Sequence, residues 1–265
     1  MIAHVVKKDK RLFYLFHLFS KYLKPTQKKI LKKIDNFLKI YSKFHNLNEK
    51  QIVKNYFIFL NRYIDDCKIF KNTNKYPYQL SKKKNVKRIS YEIALILSCL
   101  ITPHRFSIME EICKLKNLKK TLFIGAGTGL EIFLLNDKIK NFKAYDKGSS
   151  NFLYKVAKKK FKKEIYKFND NQFDTIFAIE LLEHLKKPYI FLQNLYSSMK
   201  KSSRLVCTTA KNIPQFDHYY NFKSKIDFEK KIKKIGYKIE YSYLINHRYD
   251  MQKINSNNIF YILKK

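Results

Sequence analysis

The chain has 265 residues, 45% of them apolar, which suffices for one α/β domain with a smaller attachment. Its charge of +35 suggests a nucleic-acid partner. However, only six of the 56 basic residues are arginine and the excess is spread along the chain, so a solvated, lysine-rich surface is favoured. The apolar segment Leu12–Phe19 is too short for a membrane span and lacks a cleavage site, and the four scattered cysteines argue against disulfides or zinc. We therefore expect a cytoplasmic protein.

The chain up to about residue 115 is predicted to be helical. Apolar residues at three- and four-residue spacing predict the following helices: Pro25–Phe44, Asn48–Cys67, Ser90–Leu100 and Pro103–Leu115. The segment Lys71–Lys87 is a linker candidate because of its Asn, Pro and Lys content. This pattern predicts two domains: a helical lid or substrate region at 1–85 and a second domain at 86–265.

From Lys119 onward, short apolar runs alternate with helical patterns. The predicted strands are Thr121–Ile124, Phe142–Tyr145, Glu164–Phe168, Phe173–Ile179, Arg204–Thr209, Tyr237–Ile245 and Asn258–Leu263. The predicted helices are Leu130–Asn136, Asn151–Phe161, Tyr189–Met199 and Ile226–Ile235. Such alternation predicts a Rossmann-like, doubly wound α/β sheet of seven strands, and the last two strands, with no helix between them, should form an antiparallel hairpin.

A glycine-rich turn follows the first strand and reads Gly125-Ala126-Gly127-Thr128-Gly129. Glycines let the backbone turn sharply and let a ligand approach closely. A dinucleotide site prefers a third glycine at position 130, which is Leu130, although a methionine carboxylate and an adenosine fit the same loop. Asp146 ends the second strand, where a carboxylate can accept both ribose hydroxyls of an adenosine. Asp146 therefore supports adenosine binding without choosing between NAD and other adenosine-bearing cofactors.

The fourth strand continues into Glu180-Leu-Leu-Glu183-His184-Leu, and a further helix and strand follow. Together with the glycine turn and Asp146, this run resembles the class I S-adenosylmethionine-dependent methyltransferases. The resemblance covers residues 119–265 and is strongest to the branch of ubiquinone-pathway O-methyltransferases and related small-metabolite enzymes. It implies S-adenosylmethionine as cofactor, with the glycine turn holding its methionine part, Asp146 its ribose, and Glu180 lining the cofactor near the reacting methyl group.

Two features depart from that family's pattern. Phe123 stands where an acidic residue usually precedes the glycine turn, and only Asn169–Gln172 separates the third and fourth strands, so the usual helix is missing. The adenine contact is therefore unassigned.

In the resembling RNA 2′-O-methyltransferases a Glu-x-x-Glu-His run binds a divalent metal, so the resemblance implies Glu180, Glu183 and His184 as an alternative metal site. Those enzymes also use a histidine further along the chain, and His218 stands in a comparable place. We assign no metal, because metal-free relatives carry the same run. A hydroxyl acceptor needs a base, for which His184 and His218 are the candidates, and His104 can cover the pocket.

These observations predict a methyltransferase for a small or medium-sized acceptor, with O-methylation favoured. A metal-dependent RNA 2′-O-methyltransferase is the first alternative. A non-catalytic protein that keeps the cofactor fold is the second, and Phe123 is its only support in the sequence.

Overall fold

A computed structural model describes residues 1–80, 86–148, 151–157, 161–162, 172–247 and 253–265. Its α-helices are α1 Ile2–Val6, α2 Lys10–Ser20, α3 Pro25–Phe44, α4 Glu49–Thr73, α5 Arg88–Ile101, α6 Pro103–Lys114, α7 Leu130–Leu135, α8 Asn151–Val156, α9 Pro188–Ser198 and α10 Lys225–Ile235. Short 3₁₀ turns cover Pro77–Leu80 and Leu182–His184.

The strands are β1 Leu118–Ile124, β2 Ile139–Tyr145, β3 Phe161–Lys162, β4 Thr175–Ala178, β5 Arg204–Lys211, β6 Lys238–Asn246 and β7 Asn257–Lys264. They form one sheet in the order β3-β2-β1-β4-β5-β7-β6. The neighbouring pairs β3–β2, β2–β1, β1–β4 and β4–β5 are parallel. Strand β7 pairs antiparallel with both β5 and β6. The predicted α/β class and the terminal antiparallel hairpin are confirmed.

The predicted element bounds differ from the structure in several places; for example, the helix predicted at Asn151–Phe161 ends at Val156, and Phe161 begins β3. The predicted third strand, Glu164–Phe168, lies outside the described residues, and the edge of the sheet next to β2 is the two-residue β3. The linker predicted at Lys71–Lys87 is wrong at its start, because α4 continues to Thr73 and ends at Asn74 in the left-handed conformation. The linker's later residues form the 3₁₀ turn, and residues 81–85 lie outside the described residues.

Local hydrogen bonds explain where the long N-terminal helices begin. The Asn48 carboxamide accepts from the Gln51 N–H and the Gln51 carboxamide accepts from the Asn48 N–H, both at 2.9 Å, which makes a reciprocal cap at the start of α4. Proline occupies the first position of α3, where its missing N–H costs nothing.

The sheet separates two hydrophobic cores. One face packs against α1–α8 around side chains such as Ile34, Leu97 and Phe123, and the other packs against α9 and α10 around Leu192 and Phe228. The N-terminal helices therefore share a core with the sheet, and this places α5 and α6 beside the strand ends.

No single helix within the described ranges is long and apolar enough to cross a membrane. The bent pair α5–α6, whose axes meet at 83°, reaches the required length and composition only when both helices are taken together.

Candidate functional site

The glycine turn directly follows β1 and adopts backbone conformations that favour glycine. Gly125, Gly127 and Gly129 have φ angles of 69°, 52° and 83°. A Cβ on Gly125 would lie 2.8 Å from the Leu181 side chain, and one on Gly129 would lie 2.9 Å from Leu153. Among the described residues, a Cβ on Gly127 would meet only Leu95 of α5, at 3.7 Å. The turn is thus a cradle with room at its centre, and α5 lies over it.

Asp146 closes this cradle from the end of β2. Its Oδ2 accepts from the Gly127 N–H and its Oδ1 accepts from the Gly148 N–H, both at 2.8 Å. Arg88 of α5 reaches within 4.0 Å of the same carboxylate and also donates to the buried Glu92 at 2.7 Å. The sequence analysis missed Arg88, which is separated from Asp146 by more than fifty residues.

Phe123 replaces the usual acidic residue with a packing side chain. It is 2% exposed and stacks on Phe177 with ring centroids 4.8 Å apart, facing the core shared with the N-terminal helices. The departure from the family pattern is thereby accounted for by packing, and the glycine turn beyond Phe123 keeps its shape.

Glu180 follows β4 with a left-handed φ of 48°. Its carboxylate pairs with the guanidinium of Arg105 and accepts from the Asn258 amide at 2.8 Å and from the Thr208 hydroxyl at 3.2 Å. Burial lowers the pKa of Arg105, but the charges of Glu180, Cys99 and Glu131, together with the bond to Glu180, outweigh burial and raise the pKa overall. Three side chains, those of Arg105, Asn258 and Thr208, therefore hold the Glu180 carboxylate at the carboxyl edge of the sheet.

Glu183, His184 and His218 form the second part of the site. Each offers one potential ligand atom, and these atoms lie within 4.8 Å of one another. The rings of His184 and His218 meet edge to face, with centroids 4.6 Å apart. Glu183 is fully buried, and its two carboxylate oxygens have no hydrogen-bond partner among the described residues. Burial, with the charge of Glu180 beside it, raises the pKa of Glu183 well above its ordinary value.

Backbone carbonyls orient both imidazoles. The Nδ1 of His218 donates to the Ile213 carbonyl at 2.7 Å, and the Nδ1 of His184 lies 3.1 Å from the carbonyl and 3.4 Å from the carboxylate of Asp217. Burial and the neighbouring His184 lower the pKa of His218 to about 4, so this ring is neutral near pH 7. With Nδ1 protonated, the Nε2 atoms carry the lone pairs.

A divalent cation fits this cluster by its donor chemistry. A buried carboxylate without a partner and two imidazoles with available Nε2 atoms are ligands that transition metals accept. Glu180, by contrast, is bonded to Arg105 and does not belong to the cluster. The set that the structure assembles is therefore Glu183, His184 and His218, three of the four residues of the metal alternative, without Glu180.

His104 lies away from this cluster. It stacks on His247 with ring centroids 3.7 Å apart, and the Nε2 of His247 lies 2.6 Å from the side chain of Asn258. His104 thus packs behind Glu180, on the side of β6 and β7.

The loop that carries His218 is held by the N-terminal region. The Ile213 N–H donates to the Tyr76 hydroxyl at 3.2 Å, and the rings of Tyr78 and Tyr219 lie 5.1 Å apart. Tyr91 of α5 bonds to the Asp217 carboxylate, and burial and that charge raise the pKa of Tyr91 well above its ordinary value.

Several solved structures resemble the chain at low sequence identity. A methyltransferase from Aquifex aeolicus, described as SAM-dependent, is 19% identical with a TM-score of 0.45, over 63% of this chain and 93% of that one. The Burkholderia thailandensis 1,6-didemethyltoxoflavin-N1-methyltransferase is 11% identical with a TM-score of 0.49, over 60% and 78%. The mitomycin 7-O-methyltransferase is 10% identical with a TM-score of 0.49, over 81% and 68%. Similarities at these identities and TM-scores give no information about the site.

Comparison with curated protein sequences gives no significant match. A family model described as a methyltransferase domain, however, matches residues 104–244, which is more than half of the chain. The matched segment contains the glycine turn, Asp146, Glu180, His184 and His218. The chain belongs to the methyltransferase domain family and is an S-adenosylmethionine-dependent methyltransferase.

Proposed function

We propose that the protein O-methylates a small or medium-sized hydroxyl acceptor. The observation that carries this proposal is the pair of imidazoles, His184 and His218, placed in contact beside Glu180 at the carboxyl edge of the sheet. Ligands bind at this edge in open α/β sheets. A hydroxyl acceptor must lose its proton during methylation, and a neutral imidazole is the usual base near pH 7.

The cofactor residues that we propose are Gly125, Ala126, Gly127, Thr128 and Gly129 for the methionine part, Asp146 for the ribose and Glu180 near the methyl group. The open centre of the glycine cradle, where a Cβ on Gly127 would meet only Leu95 among the described residues, supports this placement. Asp146 keeps free lone pairs beyond its two backbone hydrogen bonds, and these can accept from ribose hydroxyls. When bound, S-adenosylmethionine supplies an activated methyl group on its sulfonium.

The remaining chemistry falls to this chain's own residues. His184 is the better placed base, because Asp217 holds its Nδ1 proton while Nε2 accepts the proton of the acceptor. His218 keeps the ring of His184 in place through their edge-to-face contact. Most of the acceleration comes from alignment and from exclusion of water, since the methyl group is already activated.

We further propose that residues 1–85 act as a lid or substrate region over a methyltransferase domain at 86–265. The contacts of Tyr76 with Ile213 and of Tyr78 with Tyr219 support this role, because they bring the N-terminal region onto the loop that carries the second imidazole.

Replacing His184 with glutamine tests the base. With a panel of radiolabelled hydroxyl acceptors, we expect turnover to fall by about 10²- to 10⁴-fold, the usual contribution of a general base. The affinity for S-adenosylmethionine should be unchanged. The exposed His17 replaced by glutamine is the matched control and should keep full turnover. Equal turnover by both variants would contradict the assignment of His184.

The metal cluster supports a second candidate function, a metal-dependent RNA 2′-O-methyltransferase. Glu183, His184 and His218 would hold the cation, which would supply a positive charge beside the acceptor hydroxyl. The surplus of basic residues would then serve RNA.

Calorimetry with Mn²⁺ or Zn²⁺ alone tests this candidate. If the cluster holds a metal, affinity should rise with pH, because the proton favoured by the raised pKa of Glu183 must leave before the carboxylate can bind. Glu183→Gln should abolish binding, whereas substitution of Glu49, a partly exposed residue at the start of α4, by glutamine should not. No metal binding by the unaltered chain, or the same RNA affinity with and without a chelator, would contradict a metal-dependent function.

A further inference from the structure

The helix α2 presents an apolar surface to solvent. Its inner face is anchored by Leu12, which is 0% exposed, and by Phe19, whose ring lies 5.0 Å from that of Phe106. On the outer face Phe13, Tyr14 and Leu18 are 49%, 63% and 37% exposed, and Tyr22 just beyond the helix is 75% exposed. At about 100° per residue, the side chains 13, 14 and 18 fall within one arc of the helix. We refer to Phe13, Tyr14, Leu18 and Tyr22 as the α2 surface.

The charge around the α2 surface is of one sign. Lys10 and Lys21 lie on the same outward arc and are exposed. Residues 1–29 contain eight Lys and Arg residues and one acidic residue, Asp9. That carboxylate caps α2 and accepts from the Arg11 guanidinium at 3.0 Å and 3.2 Å, so its charge is neutralised locally.

We propose that the α2 surface docks onto an anionic lipid bilayer. Aromatic and aliphatic side chains on one face of a short helix enter the boundary between headgroups and acyl chains, and flanking lysines extend toward the anionic headgroups. Each lysine near such a surface adds to the attraction, which salt weakens. A bilayer therefore accounts for both features of the α2 surface, the exposed apolar side chains and the lysines that flank them.

Other polyanions match the surface less well. An RNA strand satisfies the lysines and can stack a base on Phe13 or Tyr14, but it leaves the aliphatic Leu18 in water. A bilayer covers all three side chains at once. The inward anchoring of α2 through Leu12 and Phe19 makes the docked helix part of the folded core, and it also contacts α5, the helix that covers the glycine turn.

Because the chain contains no tryptophan, a single introduced tryptophan reports on one position. In the full-length chain Tyr14→Trp should show a blue-shifted emission on vesicles in which half of the phosphatidylcholine is replaced by phosphatidylglycerol. Brominated lipids should quench it. Ile226→Trp is the matched control, since Ile226 of α10 is 79% exposed and outside the α2 surface. It should show neither effect.

Co-sedimentation with the same vesicles measures the contribution of the apolar side chains. The variant Phe13→Ser/Tyr14→Ser/Leu18→Ser should partition at least about tenfold more weakly, whereas Ile190→Ser/Ile226→Ser, which removes exposed apolar side chains elsewhere, should bind like the unaltered chain. Binding should be lost on pure phosphatidylcholine and at high salt. Unchanged binding by the triple variant would overturn the proposal. So would an RNA oligonucleotide that produces the same blue shift in Tyr14→Trp.

Discussion

Replacing Asp146 with alanine should weaken S-adenosylmethionine binding by about a hundredfold. In the proposed complex the carboxylate accepts from the ribose hydroxyls, and hydrogen bonds to a charged group contribute about 1.5–3 kcal/mol each. The alanine variant also loses the bond that ties Gly127 to β2. Asp146→Asn keeps the shape and one acceptor oxygen, so its affinity should fall between those of the alanine variant and the unaltered chain. Calorimetry measures all three.

Asp137→Ala is the matched control for this prediction. Asp137 also lies close to β2, but its side chain is 75% exposed and pairs with Lys33 at the surface. Its removal should leave the affinity unchanged. Equal affinities of Asp146→Ala and Asp137→Ala would show that Asp146 does not contact the ribose.

Replacing Arg105 with methionine should lower the free energy of unfolding by about 3–5 kcal/mol, the usual cost of leaving one partner of a buried ion pair uncompensated. The side chains of Arg105 and Glu180 are only 12% and 20% exposed, so water cannot readily solvate Glu180 once its partner is lost. Because Glu180→Gln removes the stranded charge, the double variant should recover part of the loss. Urea denaturation followed by circular dichroism measures each variant.

The pair Arg11–Asp9, in which the arginine lies at the surface and the aspartate is 19% exposed, provides the comparison for the buried one. The Arg11 side chain is 70% exposed, and pairs of this kind contribute less than about 1 kcal/mol. Arg11→Met should therefore cost far less than Arg105→Met. Similar losses for the two variants, or a double variant no more stable than Arg105→Met, would contradict the role of Glu180 as a buried, charged partner.

Local sequence signals predicted the glycine turn and the position of Asp146 beside it. The glycine turn and Asp146 are recognisable because each depends on residues adjacent in the chain: a strand, a turn that needs positive φ, and the residue that ends the next strand. The parallel register of β1 and β2 then brings Ile124 beside Tyr145 and aligns the two ends. Nothing in this arrangement requires knowledge of distant contacts.

The partners of Glu180 could not be predicted in this way. Asn258 comes from β7, which inserts between β5 and β6, and Arg105 comes from a helix before the sheet begins. Both reach Glu180 through topology that residue spacing does not encode. Glu180 itself adopts a left-handed conformation, and its carboxylate bonds to Arg105 instead of joining Glu183, His184 and His218.

The histidines of the site could likewise be predicted from the sequence, whereas the residues that orient them could not. The sequence indicated His184 and His218 as candidates, and the structure brings their rings into contact. Asp217, which orients His184, and Tyr91, which bonds to Asp217, were missed because a single Asp or Tyr carries no local pattern. Arginine is rare in this lysine-rich chain, with six in all, and this rarity was the one feature of the composition that could have drawn attention to Arg88 and Arg105.

Equilibrium titration of the full chain with S-adenosylmethionine, in parallel with NAD, tests the central claim most directly. The cradle of Gly125–Gly129, with Leu130 in place of a third glycine, should bind one S-adenosylmethionine per chain and discriminate against NAD. Binding of S-adenosylmethionine that is lost in Asp146→Ala is the predicted result. No binding of S-adenosylmethionine, or binding of NAD with equal affinity, would contradict it.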